Sequence, residues 1–391
     1  MKDYGLVFLI KIIKLKYKIF SYFMYLIIGC GLSGAVVAER IANELKEKVL
    51  IIEKRNHIGG NCYDYEDKET GILLNKYGAH LFHTNFEDVW EYINRFSVWE
   101  RWEHKVLALV DNKFVSIPVN ITTVNELCDE NLKTEEDMKI WLEKNQVKYD
   151  QITNSEEMAK SRIGEKLYDK LIKDYTFKQW GIYPSELDKS VLERIPIRPN
   201  FDTRYFSDKY QALPKNGYTA FFENLLKNDL IEIILNTDFQ LFKNDNDLSQ
   251  FKKIIYTGPI DAYFTNLDKL EYRSIDFKIK KHYNMNYYQP NSVVNYPDKA
   301  TNYTRIVEYK HFLNQKSRHT IIVSETTNDF GEPYYPVPNK KNKELYEKYK
   351  ELADKEKDVY FLGRLANYKY FNMDEAIKNS LDFFNNIIKK N

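Results

Sequence analysis

Glycines at positions 29, 31 and 34 stand where an apolar run, Tyr25–Ile28, gives way to a helical pattern, and Glu53 closes the next apolar run. Those residue types in that order suit a dinucleotide. A glycine at 29 permits the tight turn, one at 31 lets the main chain approach a pyrophosphate, and one at 34 lets helix and strand pack closely. The helix that begins there points free N–H groups and its positive dipole end at the phosphates. Glu53 is placed to accept hydrogen bonds from a ribose 2′-hydroxyl, and its charge disfavours a 2′-phosphate, so NADP does not suit this site. Arg55 and a Gly59-Gly60-Asn61 run follow at once. A second glycine-bearing loop after the ribose acid is the pattern of FAD proteins, in contrast with most NAD-only ones.

Other chemistry is signalled less strongly or not at all. His80 and His83 lie three apart in GAHLFHT, but no third ligand of suitable type accompanies them, so no metal is expected. The chain shows no Ser-His-Asp set, no glycosidase-type carboxylate pair and no Gly-Lys-Ser phosphate loop.

The elements that must hold these residues follow from periodicity. Tyr25–Ile28, the helical AVVAERIANEL and Lys48–Ile52 form a βαβ opening, which implies a parallel sheet. IWLEKNQ and residues 156–173 read as helices, and 181–200, with three prolines, reads as a long loop. IEIIL and KKIIYTG return as strands within 231–256; TRIVEYK and HTIIVSE are strands further on. The tail gives a strand, a glycine-bearing turn and a last helix. The expected fold class is α/β: a Rossmann-type FAD-binding domain built from discontinuous segments, with a helical insertion domain and an antiparallel β-sheet domain. The first part of the FAD domain is expected over 24–100, rejoined by about 218–268 and 350–391. A mainly helical domain is expected over 101–200, its loop at about 181–200 being mobile. The β-sheet substrate domain takes 201–217 and 269–349.

Bulk properties narrow the function. The chain has 391 residues, 43% hydrophobic and 29% charged, and a formal net charge of +1, so no overall field advertises nucleic acid as a partner. Three cysteines without a CxxC spacing fit a reducing compartment, and the cytoplasm is the expected location. In residues 1–23 the apolar run Leu6–Ile10 is soon followed by four lysines; it is too short to span a membrane. A membrane-surface helix is one reading of this stretch, and an upstream extension outside the fold is the favoured one.

The segments IEKRNHIGGNCY, KYGAHLFHT, YTFKQWG, RIPIRPNFDTRYFSDKYQALPKNGYT, IIYTGPID, YTRIVEYKHF, GEPYYPV and GRLANYKYFNMDEAI together resemble the bacterial UDP-galactopyranose mutases, in order from Met24 to the C-terminus. The resemblance implies interconversion of UDP-galactopyranose and UDP-galactofuranose, serving galactofuranose-containing surface polysaccharide. It implies FAD that is active when reduced, a flavin N5–sugar adduct, NADPH or NADH as external reductant, and a homodimer. The same reaction on UDP-N-acetylgalactosamine is the alternative specificity. An amine-oxidase-type flavin oxidoreductase, or a non-catalytic protein related to the Rab GDP-dissociation inhibitors, are alternatives of other classes.

By the same resemblance, Arg194 on the long loop and Arg305 in YTRIVEY would hold the diphosphate, a task suited to a permanently charged bidentate group. Tyr175 and Trp180 would bracket the uracil ring, with Thr176 adding a hydroxyl. Tyr205, Tyr335 and Tyr370 would bond the diphosphate, and Asn295 the nucleotide or sugar. His80 would sit at the flavin's substrate face, with His83 nearby. The expected cofactor contacts are Gly29, Gly31, Ser33, Gly34, Glu53, Lys54, Gly60, Asn61, His80, Leu81, His83, Arg364, Phe371, Asn372 and Met373. Asn372 departs from the family pattern, where an acid is usual, and so removes a charge near the flavin.

Overall fold

The computed structural model describes residues 24–193 and 195–390; the sequence reading of 1–23 and the role given to Arg194 lie outside them. A five-stranded parallel sheet runs in the order Ile231–Ile234, Lys48–Ile52, Met24–Ile28, Phe251–Tyr256, Val359–Phe361. Its central strands are apolar at successive positions because both faces are covered. Tyr25, Ile27, Val49, Ile51 and Ile255 pack under the helices Leu32–Arg40, Gly217–Leu225 and Met373–Phe383. Leu26, Ile28, Leu50, Ile52 and Tyr256 face Phe239 and Phe242 on the opposite side. Burying one such large side chain contributes roughly 1.5–3 kcal/mol.

A seven-stranded sheet stands beside it, in the order Tyr335–Pro336, Tyr272–His282, Thr320–Asn328, Arg305–Glu308, Val293–Asn295, Val106–Val110, Lys113–Ile117. All its pairings are antiparallel except Val293–Asn295 with Val106–Val110, which is parallel. Residues 101–200 thus contribute two strands to this sheet before turning helical. The strand Tyr210–Pro214 lies elsewhere, between Phe82–Thr84 and Trp99–Arg101 in a small antiparallel sheet. Helices Ile121–Cys128, Glu135–Asn145 and Ser155–Leu167 follow, the first two opened by capping boxes at Asn120 and Thr134. The stretch read from sequence as one long loop contains a short 3₁₀ turn, Pro184–Glu186, and a short helix, Ser190–Glu193.

The helix that matters most for the site is Asp174–Trp180. A π-helical turn, Tyr168–Lys173, leads directly into it, and such turns recur at functional sites. Gly181 ends it in the left-handed region, φ +75°. A Cβ at Gly181 would stand 2.7 Å from Arg273 Nη1, and Arg273 Nε donates to the Gln179 carbonyl at 3.1 Å. Any side chain there would displace the guanidinium that closes the helix.

Candidate active site

At the dinucleotide end, three backbone segments approach more closely than side chains allow. Gly29 has φ +102°, and a Cβ on it would meet Thr257 Oγ1 at 2.2 Å; a Cβ on Gly34 would meet the Gly29 carbonyl oxygen at 2.1 Å. A Cβ on Gly60 would lie 2.8 Å from the Gly31 Cα, and one on Gly363 would lie 2.7 Å from Ser33 Oγ. The start of helix Leu32–Arg40 is therefore ringed by bare backbone from three loops, which suits a pyrophosphate. Glu53 is 6% exposed. Its two oxygens accept from Cys30 N at 2.8 Å and Arg55 N at 2.9 Å, which fixes the carboxylate beside the first glycine turn. Lys54 pairs with Glu332 at 2.8 Å. Arg55 donates to Asn61 Oδ1 at 3.0 Å and lies over the Tyr77 ring at 4.1 Å. These residues fit FAD: an unhindered phosphate cradle, a fixed acid for a ribose and flat rings for a planar partner.

A cavity of about 280 Å³ opens alongside, where many separate parts of the chain converge. His80, Leu81 and His83 come from the strand Phe82–Thr84 and the residues just before it; Tyr175, Thr176 and Trp180 from the helix; Tyr205 from the crossing segment. Asn295 and Arg305 are cross-strand partners in the large sheet, and both line the cavity, as do Tyr335, Arg364, Tyr370, Asn372 and Met373. Phe371 does not: its side chain is buried and its carbonyl accepts from Arg364 Nη2 at 2.5 Å. An apolar recess lined by Ile117, Val119, Ile172 and Tyr175 extends the cavity at the aromatic end.

Charge is set by partners that sequence reasoning missed. Burial works against the Arg305 guanidinium, and Glu325 at 2.7 Å offsets it by pairing with the charge. Glu325 is 2% exposed and its second oxygen has no hydrogen-bond partner. Arg364 stands 4.9 Å from the Tyr370 ring and 5.4 Å from that of Tyr335, and these two rings lie 5.8 Å apart, nearly parallel. Two guanidiniums and two phenols thus face one region. His83 gives Nδ1 to Asp208 at 3.0 Å and stacks on Phe206 at 3.7 Å. Burial, opposed by the Gly78 carbonyl and helped by Arg364 and Arg305, lowers the His80 pKa to about 4. His104, 3% exposed, is lowered to about 3 by burial and then by Arg305 and His83; its Nδ1 has no partner. Only the alternation of the strand pairing Arg305 with Glu325 could have signalled the carboxylate. Nothing local marked His104, which precedes a strand in the sequence like any boundary residue.

Asn372 opens the helix Met373–Phe383, and its N–H donates to Glu375 Oε2 at 2.7 Å. Asparagine starts a helix as well as aspartate does, so the departure at 372 removes a charge without removing the cap. Among the described residues no group of three or more His, Cys, Asp or Glu side chains is arranged to hold a metal ion. None of their helices is long and apolar enough to cross a membrane.

A Rossmann unit joined to a cavity of guanidiniums, phenols and aromatic rings defines a nucleotide-handling enzyme of the dinucleotide-dependent α/β class. Residues 27–96 match the family model of an NAD(P)-binding Rossmann-like domain, and 170–370 match that of the UDP-galactopyranose mutases. The chain is 38% identical to the UDP-galactopyranose mutase of Mycoplasma genitalium, covering 91% of this chain and 92% of that one. It is 35% identical to a dTDP-fucopyranose mutase of Escherichia coli, covering 94% and 98% respectively. A crystal structure of reduced UDP-galactopyranose mutase superposes with a TM-score of 0.74 at 18% identity, covering 94% of this chain and 96% of that one. The chain belongs to the UDP-galactopyranose mutase family, a family of isomerases.

Proposed function

We propose that the protein interconverts UDP-galactopyranose and UDP-galactofuranose with FAD in the cradle around Gly31, Gly60 and Gly363. The observation that carries this is the meeting of Arg305, Arg364, Tyr335 and Tyr370 in one cavity with Tyr175 and Trp180. The diphosphate leaves the sugar and must be retained until it returns. A guanidinium at about 4 Å from a phosphate charge supplies on the order of 4 kcal/mol at an effective dielectric of 20, and the phenols add hydrogen bonds. Arg194 is proposed as a further guanidinium for this task. Tyr175 and Trp180 offer faces to the pyrimidine, and Thr176 a hydroxyl. His80 and His104, neutral at working pH, can exchange hydrogen bonds with sugar hydroxyls without placing a charge there. Reduced FAD, when bound, would supply the nucleophile. NADPH or NADH is the proposed source of its electrons.

The test is conversion between the two ring forms by dithionite-reduced protein, followed by chromatography of the sugar nucleotides. UDP-N-acetylgalactosamine and dTDP-fucose serve as competing substrates, the latter because of the relative that acts on it. Full flavin reduction with no ring interconversion of any of these would end the mutase reading.

A further inference from the structure

Lys178 lies on the cavity helix between Tyr175 and Trp180, yet it does not line the cavity. Its ammonium is surrounded by five oxygens of a single loop. The carbonyls of Tyr296, Asp298, Tyr303 and Thr301 accept at 2.5, 2.7, 3.1 and 3.3 Å, and Thr301 Oγ1 at 3.2 Å. That loop is closed by Tyr296 N donating to the Thr304 carbonyl at 2.8 Å. Asp298 holds the amides of Ala300 and Thr301 at 2.8 and 3.0 Å. With the amides engaged in this way, four carbonyl dipoles are left aimed at one point. Without a positive charge there they would repel one another, as the oxygens of an alkali-cation cage do when empty.

The loop joins two residues of the site. Asn295 is its first flank and Arg305 its last, and the two are paired across strands. We propose that Lys178 is a positioning residue of the nucleotide site. Its ammonium acts as an internal cation that pins the hairpin bearing Asn295 and Arg305 to the helix bearing Tyr175, Thr176 and Trp180. The lysine stem then fixes the distance between the helix and the loop that joins the base-holding and diphosphate-holding ends. The helix itself has independent anchors, since Arg273 Nε bonds the Gln179 carbonyl at 3.1 Å and Thr327 Oγ1 bonds the Lys178 carbonyl. Loss of the ammonium therefore loosens the spacing without releasing the helix.

This assignment rests on the nucleotide reading of the cavity, and the measurements separate the two. UDP affinity is read by calorimetry on the FAD-loaded full chain, with KM and kcat alongside. Lys178→Met, which keeps the stem and loses the charge, should weaken UDP binding and raise KM by about tenfold, with flavin content unchanged and kcat within about threefold. Lys178→Ala should lose the same affinity and regain most of it with n-propylammonium, which can refill the cage, and none with n-propanol. Should Lys178→Met not fold, Lys178→Ala prepared in n-propylammonium carries the test. UDP affinity within twofold of wild type in either variant, or a loss that no alkylammonium recovers, overturns the proposal. Wild-type protein that binds no UDP at all would overturn the nucleotide reading first.

Discussion

Arg305 keeps its permanent charge in a buried setting with Glu325 beside it at 2.7 Å, and Glu325 is tolerated at 2% exposure because Arg305 is there. Arg305→Ala should therefore harm two things at once. Turnover should fall by at least about a hundredfold, the scale seen when a transition-state charge contact is lost. Stability should drop by about 3 kcal/mol, because a buried carboxylate loses its cation. Adding Glu325→Gln should recover most of the stability in urea melts and none of the turnover; recovery of both would show that Arg305 is structural. The two neutral histidines make a different claim. An unfolded chain takes up protons on His80 and His104 below about pH 6.5, whereas the folded one refuses them down to about pH 4 and about pH 3. Their contribution is thus full above about pH 6.5 and is lost as pH falls, by at most about 1.4 kcal/mol per unit for each imidazole. His104→Asn, a neutral substitute, should flatten the fall in melting temperature between pH 6 and 4. An unchanged slope would mean that His104 titrates freely.

At the level of elements, the glycine contacts are the most constrained feature. Gly363 has φ +96° and its missing Cβ would strike Ser33 Oγ at 2.7 Å. Gly363→Ala should yield protein that folds yet carries much less flavin, read as the ratio of absorbance at about 450 nm to that at 280 nm. Full flavin loading would show that this close approach is not needed by the cofactor. Gly181→Ala sets a similar conflict, with φ +75° and Arg273 Nη1 at 2.7 Å. It should cost about 1–3 kcal/mol and raise KM more than it lowers kcat, because the helix end that carries Trp180 shifts. The βαβ opening was legible in sequence because short apolar runs flank glycines at 29, 31 and 34 and a helical pattern, and the second run ends in Glu53. The strands Val106–Val110 and Lys113–Ile117 were not placed in the large sheet from sequence, because a strand's partner is chosen by contacts far along the chain.

On the scale of the whole molecule, cofactor and fold should support one another. Added FAD at about a hundred times its dissociation constant should stabilise the protein by about 2.7 kcal/mol, visible as a rise in melting temperature over flavin-depleted protein. No rise would separate the Rossmann unit from the cofactor assigned to it. The amino-acid order alone determined the dinucleotide turn, its acid and the family pattern, because these depend on residue types at fixed short spacing. It also named Tyr175, Asn295, Arg305, Tyr335 and Arg364 through a pattern spread over most of the chain. Only the tertiary structure decided that these residues share one cavity, that Glu325 pairs with Arg305, that His104 joins them neutral and that Lys178 ties two walls together. The physical reason is the same each time. A charge or an unpartnered nitrogen acquires its state from what stands within a few ångströms of it, and sheet pairing brings those neighbours from distant parts of the sequence.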